Sequence, residues 1–326
     1  MRAAVLAAFG SPDVLQVAEI EQPPVAAGDR LVRLKSAALN WHDVLVRQGR
    51  YASPLPHVPG ADGAGIDVAT GDEVVILPSL WWGDDERAPS ASWQILGDHT
   101  QGTYAEFVSV PTDVVFAKPI GLGWAEAAAL PLVGVTTFRA LVSRARLRAG
   151  ESLLVTGAGG GVAPMAVSVA AALGALPFVT SSTDDKIARA LDGGAIAGVS
   201  YRSETWPEDA RALSPGGAGF DVILDTVGSW PESIRALKAG GRLVVLGASR
   251  AQIAPIDVRP FYFGQFSILG TTMGSAADFL GLLDLVASTS MSPPPIDREF
   301  PIDDVAAAHR YLEHGTAFGK IVLTID

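Results

Sequence analysis

SLLVTGAGGGVAPMAVSVAAALGA, residues Ser152 to Ala175, is the stretch that decides the fold. An apolar strand runs into a glycine cluster that opens at once onto a helix of small residues, the layout of a dinucleotide-binding βα turn. Glycine suits such a turn because the backbone must reverse sharply and lie close to a pyrophosphate, while the helix start offers N–H groups to the anion. Gly157, Gly160 and Ala163 recur at every third position, with Gly159 and Gly161 between them and Val162 opening the helix. Gly157, Gly159, Gly160, Gly161 and Val162 are therefore the candidate phosphate cradle. The strict G-x-G-x-x-G spelling is not met, so the surroundings of the turn must carry the reading.

Those surroundings agree with it. A second apolar run, Leu176 to Thr180, follows the helix, and further runs come at GVSY (198–201), DVILDTV (221–227), RLVVLG (242–247) and SILGTTM (267–273). Buried strands alternating with helical segments predict an α/β unit with a doubly wound parallel sheet. In open sheets of this kind ligands bind at the carboxyl ends of the strands, which adds Gly247 to the candidate cofactor contacts.

The end of the second strand chooses between cofactors. An NAD enzyme carries an acidic residue there for the ribose 2′-hydroxyl. This chain instead has Ser181 and Ser182, with Lys186 one helical turn on and Tyr201 and Arg202 after the third strand. Hydroxyls with nearby cations accept a 2′-phosphate that a carboxylate repels, so NADP(H) is the predicted cofactor. The other reading of the same residues makes Lys186 and Arg202 solvated surface charges and Asp184 and Asp185 helix-capping residues.

With 326 residues the chain is long enough for two cores, and its net charge of −11 speaks against nucleic acid or an anionic membrane as partner. No apolar run is long enough to span a bilayer, and MRAAVLAAFGSPDVLQV lacks the order of a secretory signal, so a cytoplasmic enzyme is expected. The absence of cysteine excludes disulfides, thiolate nucleophiles and cysteine-ligated zinc. Before the nucleotide-binding unit, short alternating segments such as RLVRLKSAAL (30–39) and DEVVILP (72–78) predict a mostly β domain. After it come an amphipathic helix (ADFLGLLDLVAS), a second helix and a closing strand, KIVLTI (320–325), expected to complete that first domain.

The chain resembles the medium-chain dehydrogenases/reductases, in particular their zinc-free quinone oxidoreductase branch. The likeness rests on the N-terminal segment, ALNWHDVLVRQGRY (38–51), PGADGAG (59–65), GTYAEFVSVP (102–111), AAALPLVGVTTFRAL (127–141), the glycine turn and GKIVL (319–323). It implies a GroES-like catalytic domain, 1–118 with 275–326, interrupted by a Rossmann domain, 119–274. It also implies a small-molecule carbonyl or quinone substrate, and a homodimer formed along the apolar edge strand SILGTTMGS.

The resemblance shows what has been lost. Where zinc alcohol dehydrogenases of this superfamily place their catalytic ligands, this chain has Asn40, Ala61 and Leu132, none of them a usable zinc ligand. The lobe that holds structural zinc in those enzymes persists as SLWWGDDERAPSASWQILGDH, with tryptophans and no thiols; it could cover the substrate site or lie in a subunit contact. An improvised site from His42, Asp43, His57, Asp62 and His99 is the remaining route to a metal. Without a Lewis acid, alcohol oxidation loses its means of stabilising an alkoxide, whereas reduction of an activated acceptor stays feasible. The expected activity is therefore NADPH-dependent hydride transfer to a quinone or an α,β-unsaturated carbonyl. A zinc-type alcohol dehydrogenase-like activity and a non-catalytic NADP(H)-binding protein are the alternatives.

In the zinc-free reductases, A-x-N-x-x-D followed by R-x-G-x-Y lines the active site, and Asn40, Asp43, Arg47, Gly49 and Tyr51 match it. The resemblance makes Asn40 and Tyr51 oxyanion donors or substrate positioners, places Thr136 behind the nicotinamide ring, and gives Lys320 a cofactor contact. Against this, Asn40 can satisfy buried backbone at a strand end, Tyr51 can pack its ring with the hydroxyl in solvent, and Thr136 can bond within its helix. His42 is either a general acid or a packed side chain beside Trp41.

Overall fold

A computed structural model describes residues 1–51 and 53–326 of the chain. The chain begins with β1 (Arg2–Leu6), β2 (Leu15–Glu19), β3 (Asp29–Ala38), α1 (Trp41–Arg47), β4 (Asp62–Asp67), β5 (Glu73–Ile76), β6 (Ser79–Leu80) and β7 (Gln94–Ile95). It continues with β8 (Phe107–Pro111), β9 (Val115–Ala117), α2 (Trp124–Ala129), α3 (Pro131–Phe138), β10 (Ser152–Val155), α4 (Val162–Ala172), β11 (Leu176–Ser181), α5 (Asp184–Asp192) and β12 (Ala197–Ser200). Next come α6 (Trp206–Leu213), β13 (Phe220–Asp225), α7 (Trp230–Ala236), β14 (Leu237–Val245), α8 (Val258–Phe263) and β15 (Ser267–Gly270). It closes with α9 (Ala276–Ser288), β16 (Ile296–Pro301), α10 (Val305–Glu313) and β17 (Lys320–Thr324).

Two compact units result: Met1–Val135 with Gly274–Ala287 and Pro293–Asp326, and Thr136–Met273 with Ser288–Ser292. The first segment runs on to Val135 rather than stopping near 118, because the alanine-rich helix α2 packs on β3, β4 and β17.

The second unit is built on a parallel sheet of order β12-β11-β10-β13-β14-β15. Its strands read as continuous apolar runs because they are covered on both faces: Leu153, Leu154, Val155, Val222, Ile223, Leu224, Leu243 and Val244 are all buried. Phe178 and Phe220 meet edge to face at 5.2 Å within a cluster that includes Leu154, Trp206, Ile223 and Leu243. The strand order reverses between β11-β10 and β13, which makes the carboxyl ends of β10 and β13 the ligand-binding edge. The edge strand, contrary to expectation, does not extend through SILGTTMGS. It stops at Gly270, and Met273 takes a left-handed φ of 39° that ladder pairing does not tolerate.

The first unit is a mostly antiparallel sheet of order β16-β17-β3-β4-β5-β9, with β8 also paired to β3. The closing strand β17 does complete this unit, running antiparallel to β3 with Ala38 opposite Val322. Ala38 also lies opposite Asp62 on β4. This double register is what positions the polar site, since Asn40 follows Ala38 by two residues and Lys320 precedes Val322 by two. IDVAT (66–70) lies in a tight β4–β5 hairpin, with Gly71 at a φ of +79°. Gly65 is required in β4, because a Cβ there would lie 2.1 Å from the Arg33 carbonyl oxygen.

The cysteine-free lobe keeps its shape by other means. β6 pairs with β7, Trp82 and Trp93 meet edge to face at 6.1 Å, and the Trp93 indole N–H donates to Ser79 Oγ at 2.8 Å. Among the described residues no helix is long and apolar enough to cross a membrane.

Candidate active site

In the second unit, the glycine turn leaves β10 at the switch in strand order. Gly157 has a φ of +82°, the Ala158 N–H donates to the Thr180 carbonyl at 2.7 Å, and α4 begins at Val162 after Gly161. A Cβ on Gly160 would meet nothing within 4 Å, so this side of the turn is open. A Cβ on Gly159 would come within 2.8 Å of Lys186 Nζ, so the lysine ammonium lies over the turn. Lys186 is delivered there by α5, whose first turn is fixed by Thr183 Oγ1 accepting from the Lys186 N–H at 3.4 Å. Ser181 ends β11 and its carbonyl accepts the Tyr201 N–H at 3.0 Å, so Ser181, Ser182, Lys186 and Tyr201 gather at the carboxyl ends of β11 and β12. An open glycine turn, helix-start N–H groups, hydroxyls and an ammonium together fit the phosphates of a pyridine nucleotide.

Two nearby residues have structural explanations. A Cβ on Gly247 would lie 2.0 Å from the Thr226 carbonyl oxygen, so glycine is demanded there by packing at the strand ends. Asp225 is fully buried and accepts from the Val227 and Gly228 N–H groups and the Ser229 and Ser233 hydroxyls, at 2.7 to 3.0 Å, which ties the turn after β13. Thr136, in α3, directs its hydroxyl to Met273 Sδ at 3.8 Å.

In the first unit the double register brings Asn40, Asp62 and Lys320 together. Lys320 Nζ donates to Asn40 Oδ1 at 2.5 Å and to Asp62 Oδ2 at 2.9 Å, with Lys320 3% and Asp62 0% exposed. Asn40 Nδ2 donates to Asp62 Oδ2 at 2.9 Å and to the Ala38 carbonyl at 3.3 Å. Both amide hydrogens of Asn40 are thereby engaged within the chain. The other oxygen, Asp62 Oδ1, accepts the Leu132 N–H at 2.7 Å. Asp62 thus binds together Asn40, Leu132 and Lys320. In the sequence Asp62 is only one of several spare carboxylates, and Lys320 reads as a cofactor contact rather than a buried ion-pair partner.

Asp43 lies beside this network. It starts α1 by accepting the Asn40 N–H at 2.7 Å and also accepts the Tyr104 hydroxyl at 2.9 Å, both through Oδ2. Its Oδ1 is buried with no partner, and complete burial pushes the carboxyl up to about 7. Tyr104 packs edge to face on the buried His309 at 5.9 Å, and burial holds the His309 imidazole down at about 3. Arg47 is 1% exposed and makes a two-pronged ion pair with Glu313 at 2.6 and 3.1 Å, joining α1 to α10. His309 and Glu313 carry no local motif and come here through the packing of α10 against α1, while Tyr104 comes from the GTYAEF segment before β8.

The third group of side chains is Tyr51, His42 and Asp98. Tyr51 is 40% exposed and its ring lies 4.6 Å from that of His42. His42 Nε2 lies 3.9 Å from Asp98 Oδ2, while Asp98 Oδ1 accepts the Ser53 hydroxyl at 3.1 Å. The improvised metal site does not form. His57 is buried against the Gly97 carbonyl at 2.9 Å, Asp43 and Asp62 are engaged as above, and His99 stands at the surface beside Asp98. Among the described residues, no group of three or more His, Asp or Glu side chains could hold a metal ion. At the positions where zinc alcohol dehydrogenases hold their catalytic metal, Asn40, Ala61 and Leu132 do not fit zinc.

Comparison with known proteins agrees with this architecture. Residues 26–120 match the family model for the alcohol dehydrogenase GroES-like domain, and residues 161–288 that for zinc-binding dehydrogenase. The chain is 29% identical to a quinone oxidoreductase of Mus musculus, across 100% of this chain and 98% of that one. It is 31% identical to a 2-methylene-furan-3-one reductase of Solanum lycopersicum, across 97% of this chain and 76% of that one. The crystal structure of an NAD-dependent alcohol dehydrogenase superimposes with a TM-score of 0.94 at 37% identity, covering 100% of both chains. The chain belongs to the medium-chain dehydrogenase/reductase superfamily, in its quinone-reductase-like branch. It is an oxidoreductase that uses a pyridine nucleotide.

Proposed function

We propose that this protein is an NADPH-dependent reductase that delivers hydride to a quinone or an α,β-unsaturated carbonyl without a catalytic metal. The observation that carries this reading is the Asp62 network. Two of the three positions that bear zinc ligands in relatives, Asn40 and Leu132, bond to Asp62, and the third, Ala61, is its neighbour in sequence. The cation beside them is the Lys320 ammonium.

The choice of NADPH is supported by Ser181, Ser182 and Lys186 at the place where NAD enzymes put a carboxylate. When bound, the reduced nicotinamide supplies hydride. The chain's own residues then have to orient the acceptor and stabilise the charge that reaches its oxygen. Tyr51 is suited to donate to that oxygen, since its phenol is 40% exposed. Asn40 acts one step back, held in a single orientation by Lys320 and Asp62. The names of the quinone oxidoreductase and furanone reductase relatives support this acceptor class. A cytoplasmic homodimer paired along β15 completes the proposal, that strand being one of the two edges of its sheet.

The test is a pair of titrations and an acceptor panel. NADPH is expected to bind more tightly than NADH, with Lys186→Ala removing roughly tenfold of that preference, about 1.4 kcal/mol. NADPH oxidation should accelerate with phenanthrenequinone, benzoquinone or a short enone. Tighter NADH binding would overturn the cofactor assignment, and tight NADPH binding without turnover would point to a binding protein.

A further inference from the structure

His42 and Asp98 meet from separate stretches of the first unit, one in the first turn of α1 and the other just after β7. Both side chains are 11% exposed, with imidazole Nε2 and carboxylate Oδ2 3.9 Å apart. Nε2 is buried and has no hydrogen-bond partner. Because Ser53 occupies Asp98 Oδ1, the oxygen turned to the imidazole is Oδ2. The His42 ring is tilted by 51° against Tyr51, so an imidazole backed by a carboxylate stands next to the exposed phenol. None of these groups is bonded into the Asp62 network. A carboxylate behind an imidazole raises its basicity and stabilises its protonated form, which is what a proton donor needs. The separation is longer than a hydrogen bond, as such pairs commonly are before substrate binds.

We propose that His42, supported by Asp98, is the general acid of the reduction, and that Tyr51 holds the substrate oxygen beside it. This rests on the reductase reading above. In an enone, hydride bonds to the β-carbon and the C=C π pair moves through the α-carbon toward the carbonyl oxygen, giving an enolate. With Nε2 turned to Asp98, it is the Nδ1–H bond of the His42 imidazolium that then breaks; the proton goes to the enolate α-carbon or oxygen, and the imidazole keeps the electron pair until solvent returns a proton. With a quinone, hydride plus this one proton gives the hydroquinone.

The groups facing the imidazole are Asp98 and Tyr51, with His99 and His57 beyond Asp98. Burial pulls His42 below its ordinary range and Asp98 opposes that pull. The acid form therefore becomes populated as pH falls, and enone turnover should rise toward acid pH.

The experiment uses the full chain with NADPH and a short enone. His42→Gln should lower kcat by about 100-fold or more, abolish the rise toward acid pH, and leave the NADPH Kd unchanged. Asp98→Asn should lower kcat about tenfold and shift the His42 imidazole titration, followed by NMR, to lower pH. The NMR arm stands even where the His42 variant fails to fold. A His42→Gln enzyme with wild-type kcat and pH profile, or an imidazole titration unmoved in Asp98→Asn, overturns the assignment and leaves the reductase reading intact. A wild-type enzyme that turns over no acceptor overturns both.

Discussion

The glycine turn and the Asp62 network are built from opposite kinds of sequence information. The turn is contiguous, Gly157 to Val162, and stays open on the side of Gly160. The network draws Asn40, Asp62, Leu132 and Lys320 from four distant segments and closes on itself, with every polar group directed at another. One is shaped to receive a ligand. The other is a preassembled polar support, whose removal should damage the fold before it damages binding.

The largest effect tests that contrast directly. Lys320→Met leaves the Asp62 carboxylate buried without its cation, and urea unfolding should show a loss of about 3–5 kcal/mol. Adding Asp62→Asn should return much of it. A single variant as stable as wild type would break the comparison.

The next effect is on pH dependence. Asp43 titrates near 3.8 in an unfolded chain and at about 7 here, so its folded state is favoured below the lower value. That contribution fades as pH rises through about 7. His309 has the opposite sign: held at about 3 against an ordinary 6.5, it stabilises the fold above the higher value and loses that contribution as pH falls. Asp43→Asn should flatten the decline of stability on the alkaline side and leave the acid limb in place. Its amide oxygen can still accept from the Asn40 N–H and Tyr104. Thermal melts across that range would check the pair, and an unchanged alkaline limb would remove Asp43 as its cause.

Smaller still is Tyr51→Phe, which loses one donor to the substrate oxygen. It should lower kcat roughly tenfold with melting temperature unchanged. Equal kinetics would return Tyr51 to a packing role.

What could be read from the sequence divides in the same way. The parallel strands of the second unit and their order of appearance were legible because strands covered on both faces are apolar without interruption, as in Leu153–Val155 and Val222–Leu224. The end of β15 was not, because a left-handed Met273 has no sequence signature. Asn40 and Lys320 were both legible as candidates, yet their partnership was not, since it depends on Ala38 lying opposite both Asp62 and Val322. Asp98 was hidden for a similar reason. It is an ordinary loop carboxylate until the β6–β7 lobe carries it to His42.

Under the proposed function, hydride transfer proceeds with Lys320, not a metal, as the cation of the Asn40–Asp62 site. The most direct measurement is NADPH oxidation by phenanthrenequinone with chelator-treated protein whose metal content is measured by mass spectrometry. Full turnover at negligible metal content is the predicted result. Activity that disappears on stripping and returns with stoichiometric zinc would contradict it.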